Sequence, residues 1–375
     1  MQSISYYLRR ALHELRGKVV HLESKGISRG NVLISYTTLP YLDRRQKVLD
    51  AHTNRFECMQ IARTFLQKGY AIDVIDGTNQ TFLPKKPYAY FLDEGETNME
   101  RLVPLLNPDC LKILYLTRCY WKFLNDSEQE RLQAIEKKRG VRLPPVRQIK
   151  PSRAIEIADT AVIVGNDFTS STYPSLPQGT ARVPLSTTHE YPAPERKDFA
   201  KAKNNFVWFG GAGLAHKGVD LVLEAFAGMP ECSLTLVGKI DPKDPFAVVY
   251  KKELYGTENI KTVGWLDPGS MKWREIYENS VAIIYPSSSE GCAGSVVLAM
   301  HAGLIPIVSK QSGVETGSFG VTLVENSVET IRKEVRALVS LSPDILKNRS
   351  METWEYARRT HTREKFSSAF KEFVE

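Results

Sequence analysis

With 375 residues, 42% hydrophobic and 25% charged, the chain is long enough for two globular domains that each bury a core, and collagenous, disordered and disulfide-framework classes are excluded. Its five cysteines are odd in number and scattered, with no C-x-x-C pair, which points to a reducing compartment and away from structural zinc. A net charge of +7 leaves open an anionic partner such as a nucleotide diphosphate, an acidic lipid surface or nucleic acid, and no apolar run reaches the ~18 residues that span a bilayer.

Residues 1–20 place Tyr7, Leu8, Leu12 and Leu15 at helical spacing, with Arg9, Arg10, Arg16 and Lys18 largely on other faces. The spacing predicts a short basic amphipathic helix, able to touch an anionic membrane or to pack on its own domain. The N-terminus has no signal-peptide core, so a cytoplasmic protein is expected, free or peripheral on the inner face of the membrane. Asn31–Tyr36 reads as a strand, residues 54–68 as a helix stopped by Gly69, and Tyr70–Ile75 as a second strand. Strand, helix and strand make a parallel unit, so the first half is expected to be Rossmann-like.

Leu111–Leu116 is a further strand and leads into Arg118 to Phe123, where aromatics such as Trp121 beside cations either stack on sugar faces or mark a core edge. Ser127–Arg139 is dense in charge and helical in pattern, which predicts a surface helix ending at Gly140. Thr160–Val164 is another buried strand, with Gly165 and Asn166 at its carboxyl end. The polar, proline-containing stretch after Pro184 predicts a boundary: residues 1–185 form one domain, 186–204 a linker and 205–353 a second domain.

Phe206–Phe209 opens into Gly210-Gly211-Ala212-Gly213-Leu214-Ala215-His216-Lys217-Gly218 and then a helix from Val219. As a dinucleotide fingerprint this run lacks its third glycine and the acidic strand end ~20 residues later, so a nicotinamide or flavin site does not fit. Two more strands end at Gly238-Lys239 and Gly264-Trp265. Val281–Tyr285 follows as an apolar strand, then a small-residue loop in which Glu290 is the only charge, an apolar helix ended by Gly303, and a strand over Leu304–Val308. In a parallel sheet ligands gather at the carboxyl ends of strands, where backbone N–H groups at a helix start face an anion. Gly291, Ala293 and Gly294 allow close approach and Glu290 can accept from hydroxyls, so a phosphate and a polyol could lie side by side.

Ser289-Glu290-Gly291, Ala299-Met300, Gly303 and Pro306 resemble the pattern S-E-G-x-G … E-A-M-x-x-G-x-P of GT-B glycosyltransferases, in particular retaining family 4. The variant G-S-V-V-L-A-M with G-L-I-P-I-V-S is similar to a subgroup of bacterial surface-polysaccharide transferases. Lys217-Gly218 and Ala225-Phe226 likewise resemble the family's phosphate loop. The resemblance implies an α/β protein of GT-B architecture, two Rossmann-like domains facing a cleft, with a C-terminal helix over 354–375 crossing back to the first domain. It also implies a UDP- or GDP-sugar donor, no metal or other cofactor, retention of configuration, and a glycan or lipid-linked acceptor in O-antigen- or capsule-like synthesis. Glu290 would contact the donor sugar and Lys217 the diphosphate. His52, in a His52-Thr53-Asn54-Arg55-Phe56-Glu57 run that recurs in the subgroup, would face the cleft with them. Gly210, Gly211, Gly213, His216, Gly238, Lys239, Trp265, Ser289, Gly291, Cys292, Ala293, Gly294 and Ser295 would surround the donor, and Asn54, Trp121 and Asn166 the acceptor.

Two positions depart from the family. Leu298 stands eight residues after Glu290, where a second glutamate would hold the ribose, and Ala212 stands where an arginine is usual. Either the ribose is held differently or the chain is an inactive scaffold that binds glycan or a partner enzyme. A nucleic-acid-binding reading finds no motif or Lys/Arg stripe to support it.

Overall fold

The computed structural model describes residues 13, 14 and 17–375. Tyr7, Leu8, Leu12 and Leu15 of the expected amphipathic helix lie outside the described residues. Its last two positions, Val19 and Val20, begin a strand instead, β1 (Val19–Leu22), which pairs antiparallel with residues 72–75. Two consecutive β-branched residues next to a partner edge favour that outcome over a helix end.

The first sheet has seven strands in the order β1-β3-β2-β4-β5-β6-β7. Beyond β1 these are β2 (Asn31–Tyr36), β3 (Ala71–Asp76), β4 (Tyr90–Glu94), β5 (Leu111–Leu116), β6 (Thr160–Val164) and β7 (Ala181–Val183). All pairs after β1 are parallel. The second sheet has six parallel strands in the order β10-β9-β8-β11-β12-β13. These are β8 (Asn205–Gly210), β9 (Ser233–Gly238), β10 (Ile260–Gly264), β11 (Ala282–Tyr285), β12 (Ile305–Ser309) and β13 (Val321–Leu323). Leaving aside the edge strand β1, in each sheet the chain starts centrally, winds outward one way and then returns to wind the other. The reversal falls between β2 and β4 in one sheet and between β8 and β11 in the other, the place where open sheets of this kind bind ligands.

The helices that position the site are α1 (Thr53–Gln67), α2 (Trp121–Arg139), α3 (Val219–Ala227), α4 (Gly294–His301), α5 (Pro343–Thr360) and α6 (Arg363–Val374). The expected single segment over 354–375 is divided: the chain breaks at His361-Thr362, where the Thr362 side chain caps α6. Helix α5 stays with the second domain, its Ser350 hydroxyl donating to Gly303 O. Helix α6 returns to the first, where Phe366 and Phe370 meet Phe56 and Phe65 edge-on at 6.4 and 6.3 Å.

Helix α2 is the expected surface helix over Ser127–Arg139, ended by Gly140, with one face turned inward. Leu124, Glu128, Leu132 and Ile135 form a buried stripe at helical spacing. The charges that suggested a solvated face reach the second domain: Arg131 pairs with Asp220, Lys138 with Glu224, and Arg139 with Glu224 and Glu253 at 2.9 and 2.7 Å. Arg139 also lies over the Tyr250 ring, 4.3 Å from its centroid.

Candidate active site at the opposed strand ends

The loops after β8 and β11 flank the reversal of the second sheet and are packed back to back. Gly218 has φ +69°, and a Cβ there would stand 2.3 Å from Pro286 O, so only glycine lets the loops meet. His216 O accepts from Ser288 N at 2.8 Å, and His216 Nε2 reaches Ser289 O at 2.5 Å. His216 is fully buried. Through these contacts it acts as a strut between the loops. Ser289 and Ala293 are buried with it.

This bracing brings Lys217 onto Glu290. Lys217 Nζ pairs with Glu290 Oε1 and donates to Tyr285 Oη at 2.8 Å, while Tyr285 Oη donates to the same carboxylate at 3.2 Å. Trp208 stacks on the Tyr285 ring at 6.0 Å and holds it in place. The side chains of Lys217 and Glu290 are only 10% and 12% exposed. Burial by itself raises the Glu290 carboxyl, but Lys217, Arg147 and His216 outweigh it and hold it at about 2. Burial lowers Lys217, and Glu290 opposes that. A desolvated pair of this kind needs both partners, so an incoming ligand has to replace each of them. A phosphate can replace the carboxylate on Lys217, and sugar hydroxyls can replace the ammonium on Glu290.

The Glu290 loop is also wedged against the first domain. Cys119 Sγ donates to Glu290 O at 2.9 Å, and Thr169 Oγ1 to Gly291 O at 2.7 Å. A Cβ on Gly291 would stand 2.1 Å from Thr117 O. The small size of Gly291 thus serves the approach of the two domains. Two loop N–H groups are used as well: Glu290 N donates to Gln311 O at 2.8 Å and Ala293 N to Ser312 O at 2.9 Å. Gly294 remains exposed at the start of α4, with Ser295 half-buried beside it.

The other expected positions separate into two groups. Gly211 has open space where a side chain would stand, Lys239 is exposed, and Trp265 leaves 53% of its surface in solvent while packing on Phe209 at 5.7 Å. These remain available to a ligand. Gly210 and Gly238 are consumed by packing, since a Cβ would stand 2.6 Å from the Trp208 ring and from Gly210 O respectively. Trp121 donates its N–H to Ser152 O at 3.0 Å and packs on Tyr120, a packing role. Asn166 caps a short helix by accepting from Thr169 N at 3.2 Å. Asn166 and Cys292 line a separate cavity of about 520 Å³, with Glu315, Tyr356 and His361, whose wall includes neither Glu290 nor Lys217.

From the facing domain, His52 caps α1, its Nδ1 accepting from Asn54 N at 3.3 Å. Desolvation and Arg55 lower its pKa, with Lys217 adding to the effect, so His52 and Lys217 share one electrostatic field. Asn54 Oδ1 is buried without a hydrogen-bond partner. Glu57, from the same run, is a structural acceptor: Tyr115 Oη donates to it at 2.9 Å and Ser186 Oγ at 2.8 Å. Leu298 is buried within the core. Two site residues had escaped the sequence reading. Tyr285 was legible as a polar aromatic at a strand's carboxyl end. Arg147, whose Nη2 lies 3.9 Å from Glu290 Oε2, gives no local signal. Among the described residues no group of His, Cys, Asp or Glu is placed to hold a metal, and no helix is long and apolar enough to cross a membrane.

Two Rossmann-like domains with opposed strand ends, and a buried cation–carboxylate pair between them, define a protein of the GT-B glycosyltransferase fold. Residues 193–359 match the family described as Glycosyl transferases group 1, so the second domain carries that family's signature. A glycogen synthase of Aquifex aeolicus (strain VF5) is 28% identical over 143 residues, covering 36% of this chain; the match spans 30% of that relative's length. Sucrose-phosphate synthase from Thermosynechococcus elongatus superposes with a TM-score of 0.63 at 14% identity, over 92% of this chain and 98% of that one. Anabaena HepE, solved in complex with UDP and glucose, gives a TM-score of 0.56 at 11% identity over 92% and 98% of the two chains.

Proposed function

We propose that this protein transfers a glycosyl group from a UDP- or GDP-sugar to a hydroxyl of a glycan or lipid-linked saccharide. The observation that carries this reading is the buried Lys217–Glu290 pair at the strand reversal, directly after the glycine loop. Lys217 and the open backbone at Gly211 would take the diphosphate, Trp265 the base, and Glu290 the hydroxyls of the transferred sugar. The N–H groups at Gly294 and Ser295, at the start of α4, would share the phosphate charge. As the bond from the anomeric carbon to the leaving diphosphate oxygen breaks, charge develops on that oxygen, and Lys217 would stabilise it. His52 and the unpartnered Asn54 oxygen would orient hydroxyls from the other side of the cleft.

The family match over 193–359 and the UDP- and glucose-bound relative support the donor class. Retention, and an acceptor in surface-polysaccharide synthesis presented at the cytoplasmic face of a membrane, follow from the resemblance around Glu290 and are proposed on that basis. Thermal unfolding with a panel of nucleotide sugars tests the reading. The right donor, at 100 times its dissociation constant, should stabilise the fold by roughly 2.7 kcal/mol. Stabilisation by none of the UDP- or GDP-sugars would overturn it.

A further inference from the structure

We propose that Arg147 is a phosphate-binding residue of the donor site, carried to it from the first domain, so that the donor diphosphate is gripped by cations of both domains. This inference rests on the donor-site reading above. The glycine loop from Gly210 to His216 contains no lysine or arginine of its own, and Lys217 is drawn onto Glu290. The Arg147 side chain lies across that loop: its Cγ and Cδ stand 3.0 and 3.1 Å from where a Cβ on Gly213 would be. Its Nη2 reaches to 3.9 Å from Glu290 Oε2.

The segment that delivers Arg147 is built to stay there. Glu128 of α2, 1% exposed, accepts from Val146 N at 3.0 Å, Arg147 N at 2.9 Å and Gln148 Nε2 at 3.0 Å. Asn125 clasps Ile149 from both sides, accepting from its N at 2.8 Å and donating to its O at 2.7 Å. Helix α2 is itself fixed to the second domain through Arg131–Asp220 and the Arg139 pairs. Holding a surface loop this firmly fixes the position of the one side chain it lays on the glycine loop.

A plain counter-ion role for Arg147 does not account for the arrangement. Lys217 already pairs with Glu290 at contact distance, and Arg147, with its Nη2 3.9 Å from that carboxylate, adds to the pull on it from too far away for a hydrogen bond. Two cations facing one carboxylate leave a positive charge uncompensated, with His216 pushed toward its neutral form by burial. That surplus, on a planar fork with one face open to solvent, suits a doubly charged diphosphate.

Calorimetric titration with UDP and GDP, and with uridine and guanosine as controls, tests the inference on wild type, Arg147→Gln and Arg147→Gln/Ala212→Arg. Ala212 is the exposed residue of the glycine loop, so the double variant returns the charge from a different backbone. Arg147→Gln should bind the diphosphate ~10-fold or more weakly, the scale of one charge-assisted hydrogen bond. The matching nucleoside should bind unchanged, and the double variant should recover most of the loss. The salt dependence of diphosphate binding should also flatten in Arg147→Gln and steepen again in the double variant. Equal losses for diphosphate and nucleoside would make Arg147 structural, and unchanged diphosphate affinity would remove it from the site; both overturn the inference alone. Wild-type protein that binds neither UDP nor GDP overturns the donor-site reading, and the inference with it.

Discussion

Replacing Glu290 by glutamine keeps the side chain's shape and removes its charge, and the geometry sets what should follow. The carboxylate is held at about 2, against an ordinary value of 4.5, a difference worth roughly 3 kcal/mol of folding stability. Burial pulls Lys217 below its own ordinary value, so the pair as a whole is worth less. About 2 kcal/mol of unfolding free energy should therefore be lost in Glu290→Gln, which leaves Lys217 desolvated with a neutral partner. The same change releases Lys217 from its competing carboxylate, so UDP or GDP should bind as tightly as to wild type or more tightly. Turnover should move the other way. A charge-assisted bond to a sugar hydroxyl, worth about 1.5–3 kcal/mol in the transition state, would cost kcat ~10- to 100-fold. Chemical denaturation, calorimetry with the bare diphosphate and steady-state kinetics with the sugar nucleotide read the three quantities separately. Full turnover in Glu290→Gln, or a parallel loss of diphosphate and sugar-nucleotide affinity, would show that Glu290 is only the counter-ion of Lys217.

Lys217→Ala should weaken nucleoside diphosphate binding by ~10-fold or more and leave the nucleoside unaffected in calorimetry; unchanged diphosphate affinity would refute its placement. The pair also sets a pH window. Because the folded-state pKa of Glu290 lies below its unfolded value, its contribution is full above pH ~4.5 and is lost as pH falls toward about 2. Denaturation curves from pH 5 down to 2.5 should show this loss in wild type and lack it in Glu290→Gln; superimposable profiles would refute it. Gly291→Ala should lower stability by about 1–3 kcal/mol and reduce activity, since its Cβ would meet Thr117 main-chain atoms at 2.1 Å and no rotamer can relieve backbone. An unaltered melting temperature would argue against the interdomain contact.

Much of the frame was legible because central parallel strands are continuous apolar runs. Asn31–Tyr36, Leu111–Leu116 and Thr160–Val164 were read with the boundaries they have in the structure. The strands that escaped are short or carry charge: β7 and β13 have three residues each, and β4 ends in Asp93-Glu94. Buried Asp93 accepts at Oδ2 from Asn98 N and Met99 N at 2.8 and 2.9 Å and at Oδ1 from Thr97 Oγ1 at 3.2 Å, a solution invisible to a hydropathy pattern. At the site, strand-end position pointed to Lys217 and Glu290, but not to their being each other's partner. Composition at α2 gave the surface helix but not its partners, because ionic contacts between domains look the same in sequence as solvated charge. Glycines were legible as necessary without revealing for what: Gly291 and Gly238 admit backbone. Arg147 lies far along the chain from the loops it joins, and only the fold places it there.

Incubation with a panel of UDP- and GDP-sugars and saccharide acceptors tests glycosyl transfer itself. Released nucleoside diphosphate and new glycoside would be measured together. The prediction is release of one diphosphate per glycoside formed from at least one donor, falling ~10-fold or more in both Lys217→Ala and Glu290→Gln. Sugar-nucleotide binding that yields no diphosphate and no glycoside with any acceptor, or turnover indifferent to both substitutions, would contradict it.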